Sequence, residues 1–174
     1  MVILITGATH TGKTRLAQQL LEQRRIPYLS QDHLKMGLIR SGYTSLTPEA
    51  PDETLTEYLW PVTREIARTA IENRQELIIE GCYIPFTWKS DFPEEYLREI
   101  RFICLCFSDR YIDARYADIL RYEACIEERQ DDGYCTPELL KKENRRFREG
   151  CAAERLPYVL IEDDYEQRVG EISF

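Results

Sequence analysis

The stretch Gly7-Ala8-Thr9-His10-Thr11-Gly12-Lys13-Thr14 decides how this chain is read. The apolar run Val2-Ile3-Leu4-Ile5 precedes it, and the helical spacing Leu16, Ala17, Leu20, Leu21 follows it. Strand, glycine-bounded loop, Lys-Thr and helix, in that order, make a P-loop in the context that gives the motif its meaning. Gly7 and Gly12 permit backbone conformations that a side chain obstructs. The N–H groups of the loop, residues 7–14, then converge on an anion at the positive end of the helix. Lys13 is placed to reach terminal phosphates, and the Thr14 hydroxyl to ligate the magnesium that bridges them. A glycine turn that merely joins strand to helix is the plain alternative. The complete eight-residue pattern with both flanks favours the phosphate site.

The 174 residues suffice for one sizeable core, and a single domain is expected. A formal net charge of −8 argues against broad electrostatic capture of DNA or RNA, although a local basic groove is compatible with it. No apolar run approaches the roughly 18–20 residues that cross a bilayer. The N-terminal run is short, has no basic lead and passes straight into the loop, so a cytoplasmic protein is expected. Six cysteines occur, at 82, 104, 106, 125, 135 and 151, with no Cys-x-x-Cys pair. Cys104 and Cys106 share one face of an expected strand and read as buried small apolar side chains rather than a zinc site. His10 lies inside the loop and His33 beside Asp32; loop-filling or surface roles are expected for both.

Strands are expected over about 2–6, 26–30, 77–81, 101–107 and 157–161. Helices are expected from Lys13 to about Arg24, over about 32–39, and from Leu55 to Ile71, where Leu55, Tyr58, Leu59, Val62, Ile66, Ala67, Ala70 and Ile71 recur at three and four. Pro61 should kink that helix or divide it near Trp60. Residues 41–52 read as a loop, and 83–93 as an irregular aromatic segment followed by a short helix near 94–98. Helical patterns follow from Ser108 and from Thr136-Pro137, with a turn at Asp131-Asp132-Gly133 between them. Thr136 is the expected N-cap, and Leu140, Phe147 and Cys151 the inner face. The acidic tail is too short for another domain. Alternating strands and helices imply an α/β fold, a parallel sheet covered on both faces, with ligands at the carboxyl ends of the strands.

The P-loop, Asp32, Glu80 and Ser108 all fall at those ends. Asp32 can act as the base on an acceptor hydroxyl, or cap a helix. Glu80, after three apolar strand residues, reads as an acid that organises magnesium; a substrate contact, a second base and a structural role stay open. Seven arginines lie between 110 and 148, interleaved with acids. Charge runs are usually solvated faces, but a lid that closes over phosphates needs cations, and Arg121 and Arg129 are the candidates. Tyr83, Phe86 and Trp88 either wall an acceptor pocket or pack a loop. Asp163 and Asp164 follow the last strand, where a nucleotide base could lie, but acidic tail residues are usually just solvated.

On these residues — Gly7 to Thr14, Asp32, Leu77 to Gly81, and the stretch from Arg110 — the chain resembles the small P-loop kinases. That group includes nucleoside monophosphate, shikimate and gluconate kinases, chloramphenicol phosphotransferase and zeta-toxin-like kinases. It also resembles short bacterial proteins labelled adenylate kinase-like or 2-phosphoglycerate kinase-like. The arginine-rich lid signature of adenylate kinase is not found. The resemblance implies a three-layer sandwich on five parallel strands in order 2-3-1-4-5, a helical lid at about 110–136, ATP with Mg2+, and Asp32 as base. The expected function is phosphoryl transfer from ATP to a hydroxyl or phosphate of a small metabolite. A nucleotide-binding regulatory module and a nucleic-acid end kinase are the other classes considered.

Overall fold

The structure is a computed structural model and describes residues 1–122 and 135–172. Cys125, Arg129 and the turn at 131–133 lie outside the described residues. Five strands, β1 (Val2–Gly7), β2 (Tyr28–Ser30), β3 (Leu77–Glu80), β4 (Ile100–Phe107) and β5 (Tyr158–Ile161), form one sheet in the order β2-β3-β1-β4-β5. Every pairing is parallel.

The short apolar runs explain why. Val2 and Leu4 point into one hydrophobic cluster with Trp60, Ala67, Phe147 and Cys151. Ile3 and Ile5 point into another with Leu16, Leu20, Ile112 and Val169. A strand that is apolar on both faces must be covered on both. The first cover is α3 (Asp52–Glu72) and part of α6 (Pro137–Ala153); the second is α1 (Lys13–Arg24), α5 (Asp109–Tyr122) and α7 (Tyr165–Gly170). Two smaller helices, α2 (Gln31–Arg40) and α4 (Glu94–Leu97), complete the elements among the described residues, with a 3-10 turn at Trp88–Asp91. Among the described residues no helix is long and apolar enough to cross a membrane.

The register aligns the strand ends. Glu80 lies opposite Ile5 of β1 and Ser30 of β2, so the ends of β1, β2 and β3 come to one edge. Thr136 caps α6 as its sequence implies, its hydroxyl accepting from Leu139 N at 3.2 Å. Cys104 and Cys106 are fully buried on one face of β4, with their sulfurs 3.6 Å apart.

Three expectations are sharpened. Of the two outcomes expected at Pro61, division does not occur: α3 runs unbroken from Asp52 to Glu72. Pro61 and Glu57 are both exposed, so the carbonyl that loses its donor faces water. The expected inner face of α3 holds at Leu55, Leu59, Ala67 and Ala70, which are buried, and gains Trp60 and Thr63, while Val62 is 40% exposed. Finally, the acidic tail is not simply solvated. Asp164 caps α7 by accepting from Gln167 N at 2.9 Å, and Val169 is buried in the core.

Candidate active site

The loop between β1 and α1 has the backbone its glycines foretell. Gly7 and Gly12 hold φ of 145° and 81°. At Gly12 a Cβ would also sit 2.1 Å from the Tyr165 hydroxyl oxygen, so the position has no room for a side chain. Tyr165 is the support here: its hydroxyl donates to the Gly12 carbonyl at 3.1 Å, and the Arg15 guanidinium lies over its ring. Within the loop, His10 adopts φ of 62°, and the Thr11 hydroxyl donates to the Ala8 carbonyl at 2.8 Å. Lys13 is buried and its Nζ donates to that same carbonyl, also at 2.8 Å. α1 begins at Lys13, so its amino end points into the loop.

Glu80 closes the site from the neighbouring strand. It is 2% exposed, and the Thr14 hydroxyl donates to its Oε1 at 3.3 Å. A hydroxyl and a carboxylate side by side are hard oxygen donors, the type that suits magnesium.

Asp32 is the second residue of α2. Ser30, not Asp32, holds the cap position of that helix. Asp32 Oδ1 instead lies 2.8 Å from Lys35 Nζ, which in turn donates to the Tyr83 hydroxyl at 2.9 Å. Burial works against the Lys35 charge, but the charge and hydrogen bond of Asp32 outweigh it, so the ammonium is held more firmly than usual. Burial pushes the Tyr83 phenol up to about 12, with Lys35 pulling the other way. Both ends of the Tyr83 backbone are pinned by the buried amide of Gln31, at 3.0 Å and 3.3 Å. Burial also raises the Cys82 thiol, opposed by Lys13 and reinforced by Asp32 and Asp52, so these side chains share one electrostatic neighbourhood.

Of the aromatic residues after β3, Tyr83 and Trp88 are buried and Phe86 packs edge-on against Phe147 of α6. Trp88 stacks on Phe102 and belongs to the core. Phe86 also lines a groove of about 1040 Å³, with Asp52, Glu143 and Arg146 among its walls. Arg146 reaches Asp52 and Glu53, each at 3.1 Å.

The other named residues fall elsewhere. Ser108 caps α5, its hydroxyl accepting from Tyr111 N at 3.0 Å. Asp163 pairs with Arg110 at 2.7 Å on the surface. Arg121 is exposed in the last turn of α5. The first part of the expected lid is α5 itself, anchored in the core by Ile112 and Ile119.

Sequence reasoning missed Glu143, Asn144 and Lys35. Glu143 Oε2 accepts the Thr9 N–H at 3.4 Å. Asn144 is fully buried and its Oδ1 accepts from Phe107 N at 2.7 Å, tying α6 to the end of β4. Leu140, Asn144, Phe147 and Cys151 are spaced as one helix face, and that spacing was the available signal for Asn144. For Lys35 it was the i, i+3 offset from Asp32.

No protein-family model matches the sequence, and no curated protein matches it. Solved structures do match in shape. A gluconokinase from Sinorhizobium meliloti 1021 superposes with a TM-score of 0.57 at 15% identity, over 98% of this chain and 87% of that one. The fold is that of the small P-loop kinases. A shikimate kinase from Aquifex aeolicus vf5 shares it with a TM-score of 0.53 at 14% identity, over 98% and 92% of the two chains. A deoxyadenosine kinase from M. mycoides, with products dcmp and dcdp bound, gives 0.58 at 13% identity, over 98% and 95%. The small P-loop kinase fold thus covers nearly the whole chain in each comparison.

Proposed function

We propose that this chain is a single-domain, Mg-ATP-dependent phosphotransferase acting on a hydroxyl or phosphate group of a small metabolite. The observation that carries the reading is the meeting of Thr14, from the phosphate loop, with Glu80, from the adjacent strand. The neighbours in fold are kinases named for gluconate, shikimate and deoxyadenosine, which supports the same reaction class.

The loop amides and Lys13 bind the donor phosphates, and the amino end of α1 adds its partial positive charge. Thr14 and Glu80 would hold magnesium, whose charge offsets that of the phosphates. Asp32 orients the acceptor hydroxyl and takes its proton as the oxygen–phosphorus bond forms. The bond from the terminal phosphorus to the bridging oxygen breaks, and its electron pair leaves with ADP. Lys35 holds the Asp32 carboxylate in place. The acceptor sits beside Asp32 and Tyr83, and the groove beside Phe86 and Arg146 adjoins the phosphate loop through Glu143. Arg121 and Arg129 remain the proposed lid cations in the segment 110–136. We place the reaction in the cytoplasm, where ATP is available and the free cysteines stay reduced.

The test is ATP turnover with magnesium against nucleoside monophosphates, glycerates, sugar acids and aminocyclitols, with the phosphorylated product detected directly. One acceptor that yields product in the wild type and none in Lys13→Ala supports the reading. Tight nucleotide binding with no product across the panel would favour a regulatory module instead.

A further inference from the structure

The Ala8 carbonyl and the Thr9 N–H are the two ends of one peptide group. Lys13 Nζ donates to the carbonyl end at 2.8 Å, and Glu143 Oε2 accepts from the N–H end at 3.4 Å. A cation from α1 and an anion from α6 therefore grip a single amide of the phosphate loop from opposite sides. Burial holds the Glu143 carboxyl above its ordinary value, with Asp52 adding to the rise and the Thr9 amide, Lys13 and Arg146 pulling the other way. The carboxylate thus shares its surroundings with Lys13, the side chain that a terminal phosphate would use.

A phosphate oxygen and a carboxylate oxygen present the same chemistry to an N–H donor. They carry the same sign of charge, and in a partly buried site they repel strongly. They cannot both take the Thr9 amide. Glu143 also lines the groove of about 1040 Å³, which gives a displaced carboxylate somewhere to go.

We propose that Glu143 is a specificity-determining residue of the donor site, occupying the place of the terminal phosphate until a triphosphate displaces it. This rests on the kinase reading given above. A diphosphate leaves the Glu143–Thr9 contact in place, whereas a triphosphate must break it and draw Lys13 away from Ala8. Glu143 therefore weakens ATP relative to ADP, and it returns to the loop when the terminal phosphoryl group has left.

The experiment is calorimetric titration of Mg-ATP and Mg-ADP into the wild-type chain, Glu143→Gln and Glu143→Ala. Glutamine keeps the shape and an acceptor for Thr9 but removes the charge; alanine removes both. The expected result is that each variant binds Mg-ATP about tenfold more tightly, from the loss of one like-charge contact, with Mg-ADP changed less than about twofold. Equal shifts for both nucleotides, no shift in either, or weaker Mg-ATP binding in the variants overturns the assignment and leaves the kinase reading intact. A wild-type chain that binds neither nucleotide overturns both.

Discussion

The Thr14 hydroxyl and the Glu80 carboxylate meet at 3.3 Å although they come from different elements, the start of α1 and the end of β3. Strand register makes this possible. Glu80 pairs across the sheet with Ile5, two residues before the loop turns at Gly7. The parallel sheet therefore delivers an acid to the mouth of the phosphate loop.

Glu80→Gln keeps the size of the side chain and removes its charge. Phosphoryl transfer should fall at least about 100-fold if Glu80 organises magnesium, with part of the loss recovered at high magnesium concentration. The measurement is turnover against magnesium concentration. A variant with wild-type turnover and the same magnesium dependence would remove Glu80 from the metal site.

Asp32→Asn should lower kcat by roughly 100-fold to 10,000-fold while the dissociation constant for ATP stays within about twofold, because a base acts on the acceptor and not on the donor. Steady-state kinetics beside nucleotide titration checks this. Equal weakening of both would make Asp32 a structural partner of Lys35 only.

Tyr83 sets an alkaline signature. Its folded-state value, about 12, lies above the ordinary value of 10.0, mainly through burial. The folded state therefore holds this proton more tightly than the unfolded state. The stabilisation is complete below about pH 10 and is lost as pH rises towards 12. Denaturant midpoints measured from pH 9 to 12 should decline more gently in Tyr83→Phe than in the wild type. Parallel curves would contradict the assignment.

Asn144→Ala leaves the Phe107 N–H buried without its acceptor. Unfolding free energy should drop by about 1–3 kcal/mol, the usual cost of orphaning a buried polar group. Chemical denaturation gives the value, and a change below about 0.5 kcal/mol would mean that water replaces the amide.

The sheet and the loop were legible because they rest on local pattern. Val2 to Ile5 had to be buried on both faces, and the spacing of Gly7, Gly12, Lys13 and Thr14 has one well-known physical use. What stayed hidden depends on contacts distant in sequence. Glu143 reaches Thr9 across 134 positions, and Tyr165 reaches Gly12 across 153. Nothing in the residues around Glu143, within a basic helix face, marks it as a partner of the phosphate loop. At Pro61 the sequence left a kink and a break both open, because the cost depends on whether the freed carbonyl meets water, which is a property of the folded surface. Asp164 and Tyr165 read as an acidic tail because a six-residue helix offers too little periodicity to register.

Everything proposed for this chain requires the loop from Gly7 to Thr14 to receive the phosphates of ATP. A crystal structure of the chain with magnesium and a non-hydrolysable ATP analogue tests it most directly. Phosphate oxygens are expected on the amides at the start of α1, with Lys13 Nζ moved from the Ala8 carbonyl to the terminal phosphate and magnesium beside Thr14 and Glu80. A nucleotide bound elsewhere, with Lys13 still on Ala8 and the loop empty at saturating analogue, would contradict it.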